Sequence, residues 1–312
     1  MRKNPICSNE ESIMKKVQII TDSCSDLTPE LMERYDIDYA QMNTVFEGKT
    51  SPADLSWTPD EVHAMYNLMR DGNRVTTTQV PVEEFNRIFR KYLDKGSDIV
   101  YIGCSLKQSG SVNTASVLAK ELMKEYPGAV IRCVDSKHAS MGEGLLAIDA
   151  AQFATEGVTA DEVADYAQQR LKYLHQVVTV HSLDCLKRAG RVKASSAFFG
   201  NLFGVKPILV TDADGEQTAV KKAKGRLGSF KEAIAMLKEE LVDPEQQTLY
   251  FAHSDCDPKE VETFLSMVRA EIPCKDIYTG YIGPIIGASI GPDAVALFGY
   301  GKEITFRVAD KQ

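Results

Sequence analysis

Val17-Gln18-Ile19-Ile20-Thr21 followed by Asp22-Ser23-Cys24-Ser25-Asp26-Leu27-Thr28-Pro29 decides the fold class. The first five residues are rich in β-formers, and the next five form a polar turn. Thr28 then offers a capping hydroxyl, and Pro29 suits the first position of a helix, where a missing N–H costs nothing. The stretch therefore predicts strand, turn, helix. The same grammar returns further on. Ile99-Val100-Tyr101-Ile102 leads into a helix from about Gly110 to Glu125, ended by Pro127-Gly128. Val130-Ile131-Arg132-Cys133-Val134 leads into a helix from about Ser140. Thr58-Pro59-Asp60-Glu61 carries a capping box, and a further helix is expected from Pro81 to about Asp94. Strands separated by helices mean βαβ units and a parallel sheet, so residues 17–165 read as a Rossmann-like α/β domain.

The second half differs. Thr159-Ala160-Asp161-Glu162 opens one more capped helix, and Val177-Val178-Thr179-Val180 follows as a strand. Ile208 to Thr211 and Gln217 to Val220 flank Asp212-Ala213-Asp214-Gly215, a hairpin signal. Leu249 to Ala252, Ile277 to Gly280, Ala294 to Phe298 and Ile304 to Val308 add strands. Hairpins point to a mixed or antiparallel sheet backed by helices, so residues 166–312 read as a second α/β domain. Residues 1–16 read as a loose extension.

A chain of 312 residues with 44% hydrophobic and 26% charged residues is ordinary for two globular domains. The net charge of −8 gives no electrostatic footprint for nucleic acid and no basic patch for an anionic membrane. The N-terminus lacks the apolar core of a signal peptide, and no apolar run approaches the ~18 residues of a membrane span. The seven cysteines are odd in number and include no C-x-x-C pair, and no H-E-x-x-H is present. A disulfide framework and a zinc motif are therefore not expected, and reduced thiols suggest the cytoplasm.

Several segments could carry chemistry. Asp22 to Asp26, Ser105 to Ser111 and Asp135-Ser136 all follow first-half strands, and Thr76-Thr77-Thr78-Gln79 precedes a helix. Any one such cluster could merely cap a helix. Together they sit where open parallel sheets bind ligands, beyond the carboxyl ends of the strands. Ser109-Gly110-Ser111 at a helix start offers backbone N–H groups, hydroxyls and a favourable dipole to a carboxylate or phosphate. Gly142-Glu143-Gly144 resembles a dinucleotide fingerprint but does not directly follow its strand, and close helix packing is the better use. Gly287-Ala288-Ser289-Ile290-Gly291 spells a nucleophile elbow, yet all five histidines precede it, so the Ser…Asp…His order cannot form. No P-loop is present, so neither a serine hydrolase nor a phosphotransfer enzyme finds its full signature. Asp184, Lys187, Arg188, Arg191 and Lys193 surround Gly190, as either a solvated turn or an anion or partner site. Phe198, Phe199, Leu202 and Phe203 form an aromatic helical stretch suited to core packing or to the wall of an apolar cavity.

The ordered set resembles the bacterial DegV family. Thr21 to Leu27 resembles its opening T-D-S-x-x-D-L, and Thr77-Thr78-Gln79 its T-S-Q. Ser109-Gly110-Ser111 falls on its L-S-G-T, and Asp135-Ser136 with Ser140-Met141-Gly142 on its D-S…S-x-G. Leu183 to Val192 resembles L-x-x-L-x-x-G-G-R-I, Val205 to Leu209 resembles I-K-P-I-L, and Ile282 to Gly287 resembles I-G-P-x-I-G. The resemblance implies a non-catalytic fatty-acid-binding subunit of a fatty acid kinase, with no cofactor or metal of its own. A long-chain acid would lie between the domains. Its carboxylate would rest on Thr77, Thr78, Ser109, Gly110 and Ser289, and its tail in a tunnel of the second domain. Asp22, Ser23, Arg188 and Arg191 would face the phosphate or the kinase. Two departures stand out. Ser289 occupies a position where the family often has His, and a hydroxyl can donate one bond but cannot become cationic. Gln108 replaces the Leu of L-S-G-T.

Overall fold

The computed structural model describes residues 15–195, 198 and 204–308. Strand β1 (Val17–Asp22) is buried along its whole length and leads through the polar turn into α1 (Pro29–Tyr35). Thr28 caps that helix by accepting from the Leu31 N–H, with Pro29 in its first turn. Next come β2 (Ile37–Ala40), β3 (Asn43–Phe46), β4 (Lys49–Pro52), α2 (Pro59–Arg70), β5 (Thr76–Thr78) and α3 (Val82–Leu93). β6 (Asp98–Gly103), α4 (Ser111–Glu125), β7 (Ile131–Asp135), α5 (Met141–Ala154) and α6 (Ala160–Arg170) complete the first half.

Strands β2-β1-β6-β7 form one sheet, in that order and parallel throughout. The chain leaves β1 toward β2 on one side and returns at β6 on the other. The order therefore reverses between β1 and β6, and a crevice opens at their carboxyl ends. β4-β3-β5 form a separate antiparallel sheet. Sequence reading missed that sheet because its strands are three or four residues long and largely polar, with no apolar alternation to betray them.

The second half holds β8 (Leu174–Thr179), α7 (Asp184–Ala189), β9 (Val205–Thr211), β10 (Gln217–Lys224), α8 (Gly225–Glu240) and β11 (Thr248–His253). It ends with α9 (Pro258–Glu271), β12 (Asp276–Tyr281), α10 (Pro284–Ile290) and β13 (Val295–Tyr300). Its six-stranded sheet runs β10-β9-β8-β13-β11-β12, antiparallel except for the β11–β12 pair. The hairpin at Asp212 to Gly215 joins β9 and β10 as its sequence predicts. Ile304 to Val308 is not a ladder strand. It runs beside the hairpin, held by Ala213 N–H to the Phe306 carbonyl (2.9 Å) and Val308 N–H to the Asp212 carboxylate (3.0 Å).

Helix α5 joins the halves. It is apolar nearly all round, and one continuous core cluster packs it between β1 of the first sheet and β8 and β11 of the second. Its two glycines make the close approach possible. A Cβ on Gly144 would lie 2.6 Å from the Ser25 carbonyl oxygen, and one on Gly142 3.0 Å from His138. The boundary expected between residues 165 and 166 falls inside α6, which packs on α5 and β7. The passage to the second sheet runs through residues 171–173. Of the expected N-terminal extension, residues 1–14 lie outside the described residues; Lys15 pairs with Asp98 at 3.6 Å.

Candidate functional site

At the switch point between β1 and β6 a cavity opens, with about 980 Å³ of empty space including its mouth. One end is polar. β5 brings Thr77 and Thr78, the loop after β6 brings Ser109 and Gly110, and α10 brings Ser289. Arg191 is the one charged residue among the described lining residues.

The hydroxyls differ in what they have left to give. Ser111 is fully buried, and its Oγ accepts the Val80 N–H at 3.2 Å. Its own O–H can then donate to Ser109 Oγ, 2.9 Å away, which also accepts the Ser111 N–H at 3.3 Å. Both interactions fill the acceptor side of Ser109 and leave its O–H to point at a ligand. Gly110 caps α4, a 15-residue helix with no acidic residue in its first turn, so the positive end of the helix dipole faces the same space. Thr77 and Ser289 have no side-chain hydrogen bond to a described residue, whereas Thr78 donates to the Gln79 carbonyl at 3.2 Å.

The other end is greasy, and strand register explains why. Leu209, Val178 and Ala296 form one rung across β9, β8 and β13, and Gln176 pairs with Phe298 two residues along. Period-2 alternation puts these side chains on one face, and all of them line the cavity. Opposite that face, Ile282, Ile285, Ile286, Ser289 and Ile290 recur at helical spacing along α10 and the residues before it. The i, i+3, i+4 pattern was present in the sequence but was obscured by the nucleophile-elbow spelling. Phe198 does not line the cavity: it is half-buried against the core, with the Lys222 ammonium 4.9 Å from its ring centre. Phe199, Leu202 and Phe203 lie outside the described residues.

Two residues absent from the sequence-based site deserve naming. Gln79 lines the cavity and donates to Thr114 Oγ1 at 2.9 Å. Gln108 lines it too, and its buried Nε2 has no partner, an amide donor left free next to Ser109.

The four expected partner-facing residues divide. Asp22 and Ser23 are fully buried and cannot face a partner. Asp22 accepts from Tyr101 Oη (2.6 Å) and from the N–H groups of Cys24 (2.9 Å) and Cys104 (3.3 Å); burial raises its pKa against those bonds. Ser23 ties the Ala53 carbonyl (2.8 Å) to the Met42 N–H (3.0 Å). Their polarity serves the tightness of the β1 turn. Asp135 is consumed likewise, accepting from the N–H groups of Leu106 and Lys137. Arg188 and Arg191 do face outward. With Arg74 they line a second, basic pocket that shares Thr77, Arg191 and Ser289 with the first and so adjoins its polar end. Arg191 is oriented by the Gln108 carbonyl at 2.6 Å.

Asp26 links the halves at this edge. Its carboxyl group accepts from the Gly283 N–H (2.8 Å) and the Ser140 hydroxyl (2.5 Å), and burial raises its pKa to about 7. Among the described residues lining the cavity there is no histidine to serve Ser109 or Ser289 as an imidazole base. Among the described residues, no helix is long and apolar enough to cross a membrane.

A family model described as the uncharacterised DegV proteins matches residues 16–302. This chain belongs to the DegV family. A DegV domain-containing protein of Clostridium perfringens is 36% identical over 293 residues, covering 92% of this chain and 98% of the relative. Among solved DegV structures, a lipid-binding protein of Thermotoga maritima is 28% identical with a TM-score of 0.79, covering 93% of this chain and 100% of the other. A Thermus thermophilus DegV protein, described for its fatty acid binding, is 25% identical with a TM-score of 0.81, covering 92% and 100%. The two-layered α/β architecture, parallel sheet joined to mixed sheet, is thus that of the DegV family.

Proposed function

We propose that this chain is a lipid-binding protein that holds one long-chain fatty acid. One observation carries the reading: a single cavity joins free hydroxyl donors and a helix N-terminus at one end to a registered apolar face at the other. The head group takes hydrogen bonds from Ser109, Thr77 and Ser289, with the Gln108 amide in reach of the same end. The tail lies between α10 and the Leu209–Val178–Ala296 rung. The solved relatives described as lipid- and fatty-acid-binding support this assignment.

The finer reading is that the chain presents the acid to a fatty acid kinase subunit, in the cytoplasm, and performs no chemistry itself. Neutral donors support it, because a carboxylate held by hydroxyls keeps more of its nucleophilicity than one clamped by a bidentate Arg. The basic pocket of Arg74, Arg188 and Arg191 beside the head-group end suits an incoming phosphoryl group. Against a hydrolase stands the absence of an imidazole at the cavity.

Mass spectrometry of organic extracts from the purified chain is the direct test. One fatty acid per chain is expected, and added oleate or stearate should exchange into the emptied protein. Finding neither endogenous lipid nor uptake would end the proposal. For the finer reading, acyl phosphate should form only when a kinase subunit and ATP are added, and turnover of acyl esters by this chain alone would overturn it.

A further inference from the structure

Beneath the head-group end lies a cluster the lipid reading does not use. Cys24 in the turn after β1, Cys104 just after β6 and Glu143 in the first turn of α5 are all buried. Their sulfurs and a carboxylate oxygen lie within 4.8 Å of one another. A second observation stands apart from that geometry. Thr21 donates to Glu143 Oε1 at 2.9 Å, and the Asp22 N–H also bears on this carboxyl group, while Oε2 is buried without a hydrogen bond of its own. An orphaned carboxylate oxygen is costly, of the kind native interiors keep few of. Met42 adds a soft thioether, its Sδ 3.5 Å from Cys24 Sγ.

We infer that Cys24, Cys104 and Glu143 form a site for a thiophilic divalent cation of the zinc class. Two thiolates and one carboxylate make an S₂O set with a fourth position free, as in open zinc sites. With Zn–S bonds of about 2.3 Å at the tetrahedral angle, the sulfurs stand about 3.8 Å apart. The ligand atoms already lie within 4.8 Å of one another, so the sulfurs need approach by no more than about an ångström. Glu143 Oε2 gains the partner it lacks. Cys24 and Cys104 also line the lipid cavity, which gives the ion a way in and turns the open position toward that space. The sequence hid the site because its ligands come from three separate βα turns, 80 and 39 residues apart in the chain by their numbering.

Burial raises the pKa values of the Cys24 thiol and the Glu143 carboxyl. Thiolate and carboxylate ligands bind a cation only in their deprotonated forms, so affinity should rise with pH.

The full chain, kept reduced and purified from zinc-supplemented culture, should carry about one zinc per chain. X-ray absorption at the zinc edge of this wild-type protein should show two sulfurs at about 2.3 Å and lighter atoms at about 2.0 Å. Cobalt exchanged into the site should give thiolate charge-transfer and tetrahedral d–d absorption. Cys104→Ala should abolish the metal and Glu143→Gln weaken it at least about ten-fold, while Cys274→Ser leaves it unchanged. A metal-free protein, a shell of oxygen and nitrogen only, a four-sulfur shell, or undiminished metal in folded Cys104→Ala would each overturn the site. If Cys104→Ala does not fold, the wild-type absorption spectrum decides alone.

Discussion

The turn after β1, Asp22 to Asp26, and the turn after β6, Ser105 to Ser111, read alike in sequence. Both are short polar runs at the carboxyl ends of neighbouring parallel strands, and both lead into a helix. In the folded chain they part ways. The Asp22, Ser23 and Asp26 side chains of the first turn are spent on the protein itself, on Tyr101, Ala53, Met42, Ser140 and Gly283, while Ser25 Oγ is buried without a partner. The second turn keeps one hydroxyl, one amide and a helix N-terminus in reserve at the cavity. Polar composition at a strand end thus marks a position of consequence. The hydrogen bonds already made separate side chains that brace the architecture from those left free at the cavity.

Four measurements can break or sharpen that contrast. Gly144→Ala drives a methyl group into the Ser25 carbonyl and should cost about 3 kcal/mol of unfolding free energy, the upper part of the overpacking range. A chemical denaturation curve matching wild type would show that the β1 turn is not braced by α5. Ser109→Ala should weaken fatty acid binding by roughly 1–3 kcal/mol while leaving the melting temperature close to wild type. Equal affinity in a titration would move the head group away from the β6 turn.

Asp26 brings pH into the comparison. Its folded pKa, about 7, lies above the ordinary carboxylate value, so the native state holds the proton more tightly than the unfolded chain. The contribution to stability is complete below about pH 4 and is lost as pH rises toward 7, at up to ~1.4 kcal/mol per pH unit. Asp26→Asn keeps an acceptor for Gly283, offers a donor to Ser140 and tolerates the left-handed backbone (φ 53°). Its stability should therefore be flatter across this range, and parallel pH profiles for the two proteins would refute the assignment. The smallest effect belongs to Thr78→Ala, whose hydroxyl already donates to Gln79. Fatty acid affinity should change by less than ~0.5 kcal/mol, and a loss matching that of Ser109→Ala would show that Thr78 turns to the ligand.

Much of this was legible beforehand, for reasons tied to particular residues. Thr28-Pro29, the two capping boxes and the Asp212 to Gly215 hairpin are local signals, and the chain obeys them locally. The gathering of Thr77, Ser109 and Ser289 at one cavity also fits a family pattern spread along the chain. The apolar wall of the cavity was not legible, because it depends on register: nothing in Val178, Leu209 and Ala296 taken singly shows that they share a rung. Aromatic Phe198 drew attention that belonged to the isoleucines of α10. Asp22 and Ser23 misled for the reason the two turns teach, since sequence shows polarity but not how it is spent.

The placement of α5 carries one more consequence. Because this helix is wedged between both sheets within a single uninterrupted core, the halves cannot swing apart like a clamshell without tearing that core open. On the proposed lipid-binding function, loading and unloading would therefore proceed by local openings, without a hinge between the halves.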